Sequence, residues 1–131
     1  MTYQGQPVPS TTYQQGRAKV SDGKSVRVTV PENSDLKGGQ LVLLDGFLGF
    51  LTRDVKTGAG ETAEAILTIE QAEYETDQIK VADEFAAGAK IYWDAAEGQL
   101  TETATDNRPA GRVTAAKDSN NVIWFILGPQ V

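Results

Sequence analysis

The side chains of this chain that could act on a substrate are carboxylates. Glu73 and Glu75, or Asp83 and Glu84, are paired acids of the kind glycosidases use, where one carboxyl donates a proton and the other stays ionised. Asp94 and Glu97, followed by Gly98, offer hard oxygen ligands for calcium, but their spacing fits no EF-hand loop. Asp45-Gly46-Phe47-Leu48-Gly49-Phe50 has the glycines of a phosphate-binding loop without its Lys-Ser/Thr or a following helix. The plainer readings are an acidic solvated surface for the carboxylates and turns between strands for Asp94 to Gly98 and Asp45-Gly46. The chain holds no cysteine and no histidine, which removes disulfides, thiolate nucleophiles, iron–sulfur clusters and nearly all zinc and haem sites. It also removes the commonest general base. No catalytic, metal or cofactor site is therefore assigned.

Such groups must be positioned by one domain, because 131 residues do not build two independent cores. Hydrophobic residues at 40% and charged residues at 23% are ordinary globular usage. The net charge of −6 disfavours binding of nucleic-acid backbone by the whole surface. That net charge is an average of unlike halves. Residues 1–60 carry 7 cations against 5 anions, or +2, and residues 61–131 carry 5 against 13, or −8. A molecule with two signs suits electrostatic docking. The apolar stretches Leu41 to Leu44 and Val122 to Leu127 are far shorter than the ~20 residues that span a bilayer, and the first residues lack the pattern of a signal peptide. No membrane partner is expected, and the chain reads as soluble.

Period-two patterning dominates the chain after Gly16. Val26, Val28 and Val30 alternate with polar residues and stop at Pro31, the pattern of a half-buried strand. Pro31 to Gly39 reads as a turn-rich loop. Gln40 to Leu44 and Phe47 to Arg53 flank Asp45-Gly46, a hairpin signal because a type I′ turn needs two residues tolerant of positive φ. Glu61 to Glu75 has helical propensity, but Ala63, Ala65, Leu67 and Ile69 alternate with Glu64, Thr68 and Glu70. It is read as strand, with Ile66 breaking the rule. Further strands are expected at Ile79 to Val81, Lys90 to Trp93, Leu100 to Thr103, Ala110 to Ala115 and Val122 to Leu127. Asp83 to Ala87, ending at Gly88, could form one short helical turn. The expectation is an all-β small barrel or sandwich over residues 16–131.

Residues 1–15 are a separate compositional unit, rich in Gln, Thr and Pro with almost no aliphatic side chains. They read as an extended arm, since Pro7 and Pro9 bias the residues before them away from helix. Such a segment is either a frayed terminus or an arm that orders by lying along a partner, and Tyr3 and Tyr13, as aromatic anchors, favour the arm. Phe47, Phe50, Tyr92, Trp93 and Trp124 are assigned to the core or to self-association.

The segment Gly88-Ala89-Lys90-Ile91-Tyr92-Trp93-Asp94 resembles one found late in small phage head proteins, the capsid cement or head-decoration family. The elements after it are similar too: Leu100-Thr101-Glu102-Thr103-Ala104-Thr105, Asn107, Gly111-Arg112-Val113 and Val122 to Leu127. Upstream, Val28-Thr29-Val30-Pro31, Gly39-Gln40-Leu41-Val42-Leu43 and Phe47-Leu48-Gly49-Phe50 are similar to the family's opening strand and hairpin. The arm is longer than usual in that family, and Gly111-Arg112-Val113 stands where relatives often show Gly-Val-Ala.

The resemblance implies a structural virion protein that binds the outside of an expanded phage capsid and stabilises the shell, often as a homotrimer. Its partners would then be the major capsid protein and itself. The expected capsid-binding residues are Tyr3, Gln4, Pro7, Pro9, Tyr13 and Arg17. Two other readings compete: a carboxylate-using or glycan-binding β domain of a tail or spike protein, and a head–tail joining protein. The first would gather Glu64, Glu70, Glu73, Glu75 and Asp77 in a pocket around Trp93 or Tyr92.

Overall fold

A computed structural model describes residues 18–130. The arm residues Tyr3, Gln4, Pro7, Pro9 and Tyr13, together with Arg17, lie outside the described residues. Those described form eleven strands and no helix. They are β1 (Ser25–Val30), β2 (Asp35–Leu36), β3 (Leu41–Leu44), β4 (Phe47–Leu51), β5 (Val55–Lys56), β6 (Ala63–Thr68), β7 (Glu73–Thr76), β8 (Lys90–Asp94), β9 (Gln99–Thr101), β10 (Arg108–Ala115) and β11 (Ile123–Leu127). One antiparallel sheet runs β1-β6-β4-β3, a second β7-β11-β10-β8-β9, and β2 pairs with β5. The all-β expectation holds.

The β3–β4 hairpin is a wall shared by two apolar clusters, which are therefore not independent cores. Leu41 and Leu48 are buried against the five-stranded sheet among Ile91, Trp93, Phe125 and Leu127, with Leu43 and Phe50 packed on that cluster. Val42 and Leu51 face the other way, among Val28, Val30, Ala65 and Leu67, with Leu44 and Phe47 alongside. Side chains alternate between the faces of a strand, so a strand covered on both sides must be apolar at successive positions. That is why Leu41-Val42-Leu43-Leu44 shows no alternation, whereas β1, with one solvated face, does. Asp45 (φ 51°) and Gly46 (φ 86°) make the turn between β3 and β4, as the Asp-Gly pair predicts. The Asp45 carboxylate also accepts a hydrogen bond from Thr29 N, 2.7 Å away.

Some expected boundaries move. Glu61 to Glu75 is extended but divided, with β6 in the first sheet and β7 in the second. Ala65 and Leu67 are buried, Ala63 and Ile69 half-buried, and Ile66 is exposed, so the alternation there is real and Ile66 is a surface residue. Asp83 to Ala87 forms no helical turn. Phe85 sits fully buried at φ 53°, and the Lys117 ammonium donates to the carbonyls of Val81 and Asp83, each at 2.6 Å. A buried aromatic and a cross-chain cation hold this loop in an irregular path. Ile79 to Val81 contributes only a bridge from Ile79 to Leu100. The strand expected over Leu100 to Thr103 stops at Thr101, where the Asp83 carboxylate accepts from both Thr101 Oγ1 and Glu102 N at 2.9 Å.

Candidate functional site

Two glutamines stitch the hairpin wall to the rest of the molecule. In the antiparallel register Leu41 stands opposite Phe50 and Leu43 opposite Leu48. Alternate residues of a strand turn their amide and carbonyl away from the partner strand. β3 is an edge strand, so those of Leu41 need another partner. Gln78 supplies it: Leu41 N donates to Gln78 Oε1 at 2.7 Å, and Gln78 Nε2 donates to Leu41 O at 2.9 Å. On the other strand β6 pairs only with Phe50 and Leu51. Gln130 therefore takes Leu48, accepting from its N–H and donating to its carbonyl, both at 2.9 Å. A primary amide has the donor and acceptor of a peptide unit, so each glutamine acts as a one-residue strand.

Gln130 also accepts from Arg108 Nη2 at 3.1 Å, while Arg108 Nη1 donates to the Gly46 carbonyl at the hairpin turn. These contacts form one wall of an open groove of about 800 Å³. Its other walls come from β8, β10, β11 and the segment after β11, including Tyr92, Ile126 and Pro129. At Gly111 (φ 154°) a side chain would collide with the Ile126 carbonyl, so β10 approaches β11 closely there. The ladder from β10 to β8 shifts register between Pro109 and Gly111, and such a bulge bends a strand. Lys90 and Arg112 face each other across that ladder and line the groove with Arg108. No Asp or Glu lines it, and none of the three cations forms an ion pair among the described residues.

The carboxylates lie elsewhere. Glu73 and Glu75 flank Trp124 in a shallow recess on the outer side of the five-stranded sheet. Thr114 Oγ1 donates to Glu73 at 2.6 Å, and Trp124 Nε1 donates to Glu75 at 3.1 Å. Neither this recess nor the groove gathers acids around Trp93 or Tyr92, the arrangement a carboxylate enzyme or sugar site required. Among the described residues no three His, Cys, Asp or Glu side chains are grouped to hold a metal ion. Asp94 instead accepts from the amides of Ala96 and Glu97 in the β8–β9 turn.

The five aromatic residues divide between core and surface. Trp93 is 5% exposed and Trp124 49%. Tyr92 is half-buried in the groove wall. Phe47 is half-buried against the core of Val28, Val42 and Leu67. Phe50 stacks on Tyr74, with ring centroids 4.6 Å apart. Burial, followed by the Glu70 carboxylate, raises the Tyr74 pKa above its ordinary 10.0, and the Tyr74 hydroxyl donates to the Glu70 carbonyl at 2.8 Å.

Sequence reasoning missed Gln78, Gln130, Lys90 and Arg108 as organising residues. The amides carried no local signal. The cations did: three of the five cations in the acidic half fall between residues 90 and 112.

Among the described residues the fold is an all-β module with a groove lined by three cations and a β11 face on which Trp124 and Ile126 are exposed. The chain belongs to the phage cement protein family, whose model it matches over residues 20–128. The protein is thus a structural capsid-binding component of the virion and not a catalyst. Neither a curated protein nor a solved structure matches the chain.

Proposed function

We propose that this protein binds the outer surface of the expanded phage head and reinforces the shell, with residues 1–15 as an arm and the β domain as the body. The observation that carries the proposal is the family match, which spans all eleven strands. Repetition of a modest contact over a shell gives strong net attachment, so one small domain suffices for the task. The arm, through Tyr3, Gln4, Pro7, Pro9, Tyr13 and Arg17, would add an extended segment to a capsid subunit, with main-chain hydrogen bonds supplying affinity. The body would self-associate, as a homotrimer, through exposed apolar groups. Trp124, 49% exposed on the outer face of β11 and outside the groove lining, supports such a contact.

The test mixes purified protein with expanded, undecorated heads and follows occupancy and head survival on heating. Bound protein should raise the temperature at which heads release DNA. A variant lacking residues 1–15 should remain folded and bind much more weakly. Unchanged occupancy would defeat the arm, and unchanged head survival at full occupancy would defeat reinforcement.

A further inference from the structure

We infer that the groove of Lys90, Arg108 and Arg112 receives a carboxylate-bearing extended segment of the capsid subunit, making it a second contact distinct from the arm. The inference rests on the capsid-binding reading and specifies which part of the β body makes that contact and with what chemistry. Residues 61–131 carry a net charge of −8, yet the groove within them is lined by three cations and no carboxylate. Like charges held together without a counter-charge repel one another, and an anionic partner relieves that repulsion. Lys90 and Arg112 are exposed and Arg108 half-buried.

The guanidiniums are oriented but not used up. Arg112 Nη1 donates to the Gly88 carbonyl at 2.9 Å, and Arg108 is fixed by the Gly46 carbonyl and the Gln130 amide. A guanidinium has five N–H donors, so each retains donors for a carboxylate. Arg112 stands opposite Lys90 on the solvent face of the β8–β10 ladder, whereas Arg108 stands opposite the buried Trp93 and borders the groove at its hairpin end beside Gly46. An extended segment that sets an acidic side chain against the Lys90–Arg112 pair and runs on toward the hairpin end matches that arrangement. Tyr92 and Ile126 supply apolar walls for the chain between them.

Two other occupants compete. Residues 1–21 of a second copy contain no Asp or Glu and offer the groove no counter-charge. The Glu73 and Glu75 carboxylates of a second copy are each held by one hydrogen bond, from Thr114 and Trp124, which fixes their orientation without removing their charge, so the oligomeric state tests this occupant.

The experiment compares the full chain with K90E and with K90E/R112E for binding to expanded, undecorated heads by co-sedimentation, at low and high salt. Oligomeric state is measured by analytical ultracentrifugation and folding by thermal melt. Arg108 is left intact because it braces the hairpin. The double variant should bind at least about tenfold more weakly, because each reversal replaces attraction by repulsion. K90E should lie between, and salt should weaken the wild type more than the double variant. K90E alone keeps the test valid if the double variant melts early. Wild-type affinity in K90E and in any folded double variant overturns the groove assignment and leaves capsid binding standing. A wild-type oligomer that the reversals dissociate assigns the groove to a second copy and also overturns it. Wild-type protein that fails to bind heads overturns the capsid-binding reading along with the groove.

Discussion

Replacing Gln78 by Ala tests whether a side-chain amide holds the edge of the hairpin wall. The substitution removes two hydrogen bonds, at 2.7 and 2.9 Å, and strips the part-buried Leu41 amide and carbonyl of their partner. Each lost bond costs about 1 kcal/mol net, and an unpaired buried group adds to that, so the loss is about 2–3 kcal/mol. For a folded region of ~110 residues the unfolding entropy makes 1 kcal/mol worth about 4 °C. The melting temperature, followed by circular dichroism or calorimetry, should therefore fall by about 8–12 °C. Gln78→Glu separates the two bonds, because a carboxylate still accepts from Leu41 N but cannot donate to Leu41 O. It should be destabilised at neutral pH and, relative to the wild type, recover part of the loss as acid protonates it. A shift below about 2 °C in Gln78→Ala would refute the reasoning, since that would mean water satisfies Leu41 equally well.

Three further outcomes follow from burial and close approach. Trp93→Ala should cost about 3–5 kcal/mol in denaturant unfolding, and Trp124→Ala, at a half-exposed position, about 1 kcal/mol or less. Gly111→Ala should lower stability, because its backbone is at φ 154° and a Cβ would meet the Ile126 carbonyl; an unchanged denaturation midpoint would contradict the close approach of β10 and β11. Burial and Glu70 raise the Tyr74 pKa in the folded state, so its contribution is fully present below the unfolded value near 10 and is lost as pH rises through the folded value. Tyr74→Phe should flatten that alkaline loss of stability, read as the difference between the two proteins' melting curves from pH 8 to 11.

The sequence shows those parts of the fold that depend on local chemistry. Val26, Val28 and Val30 mark a strand because one of its faces is solvated, and Asp45-Gly46 marks a turn because both residues accept positive φ. It does not show where an extended run changes sheets: Glu61 to Glu75 alternates correctly yet divides into β6 and β7, since pairing partners lie far away in the chain. Asp83 to Ala87 has helix formers, but Phe85 is needed in the core and Lys117 holds the loop, so tertiary contacts override propensity. The groove escapes a linear reading for the same reason. Lys90 and Arg112 are 22 residues apart in the chain and become neighbours only through the β8–β10 ladder. Trp93 and Trp124 look alike in sequence, both within apolar strands. Only the pairing of β11 with β7 and β10 turns Trp124 outward beside Glu75.

Binding of this protein over the outer shell can be seen by cryo-electron microscopy of expanded, undecorated heads incubated with the full chain. Added density of this β domain is expected on the outer surface, repeated over the whole shell with one groove wall against a capsid subunit. Bare heads at saturating protein, or density confined to the single vertex where the tail joins, would contradict it.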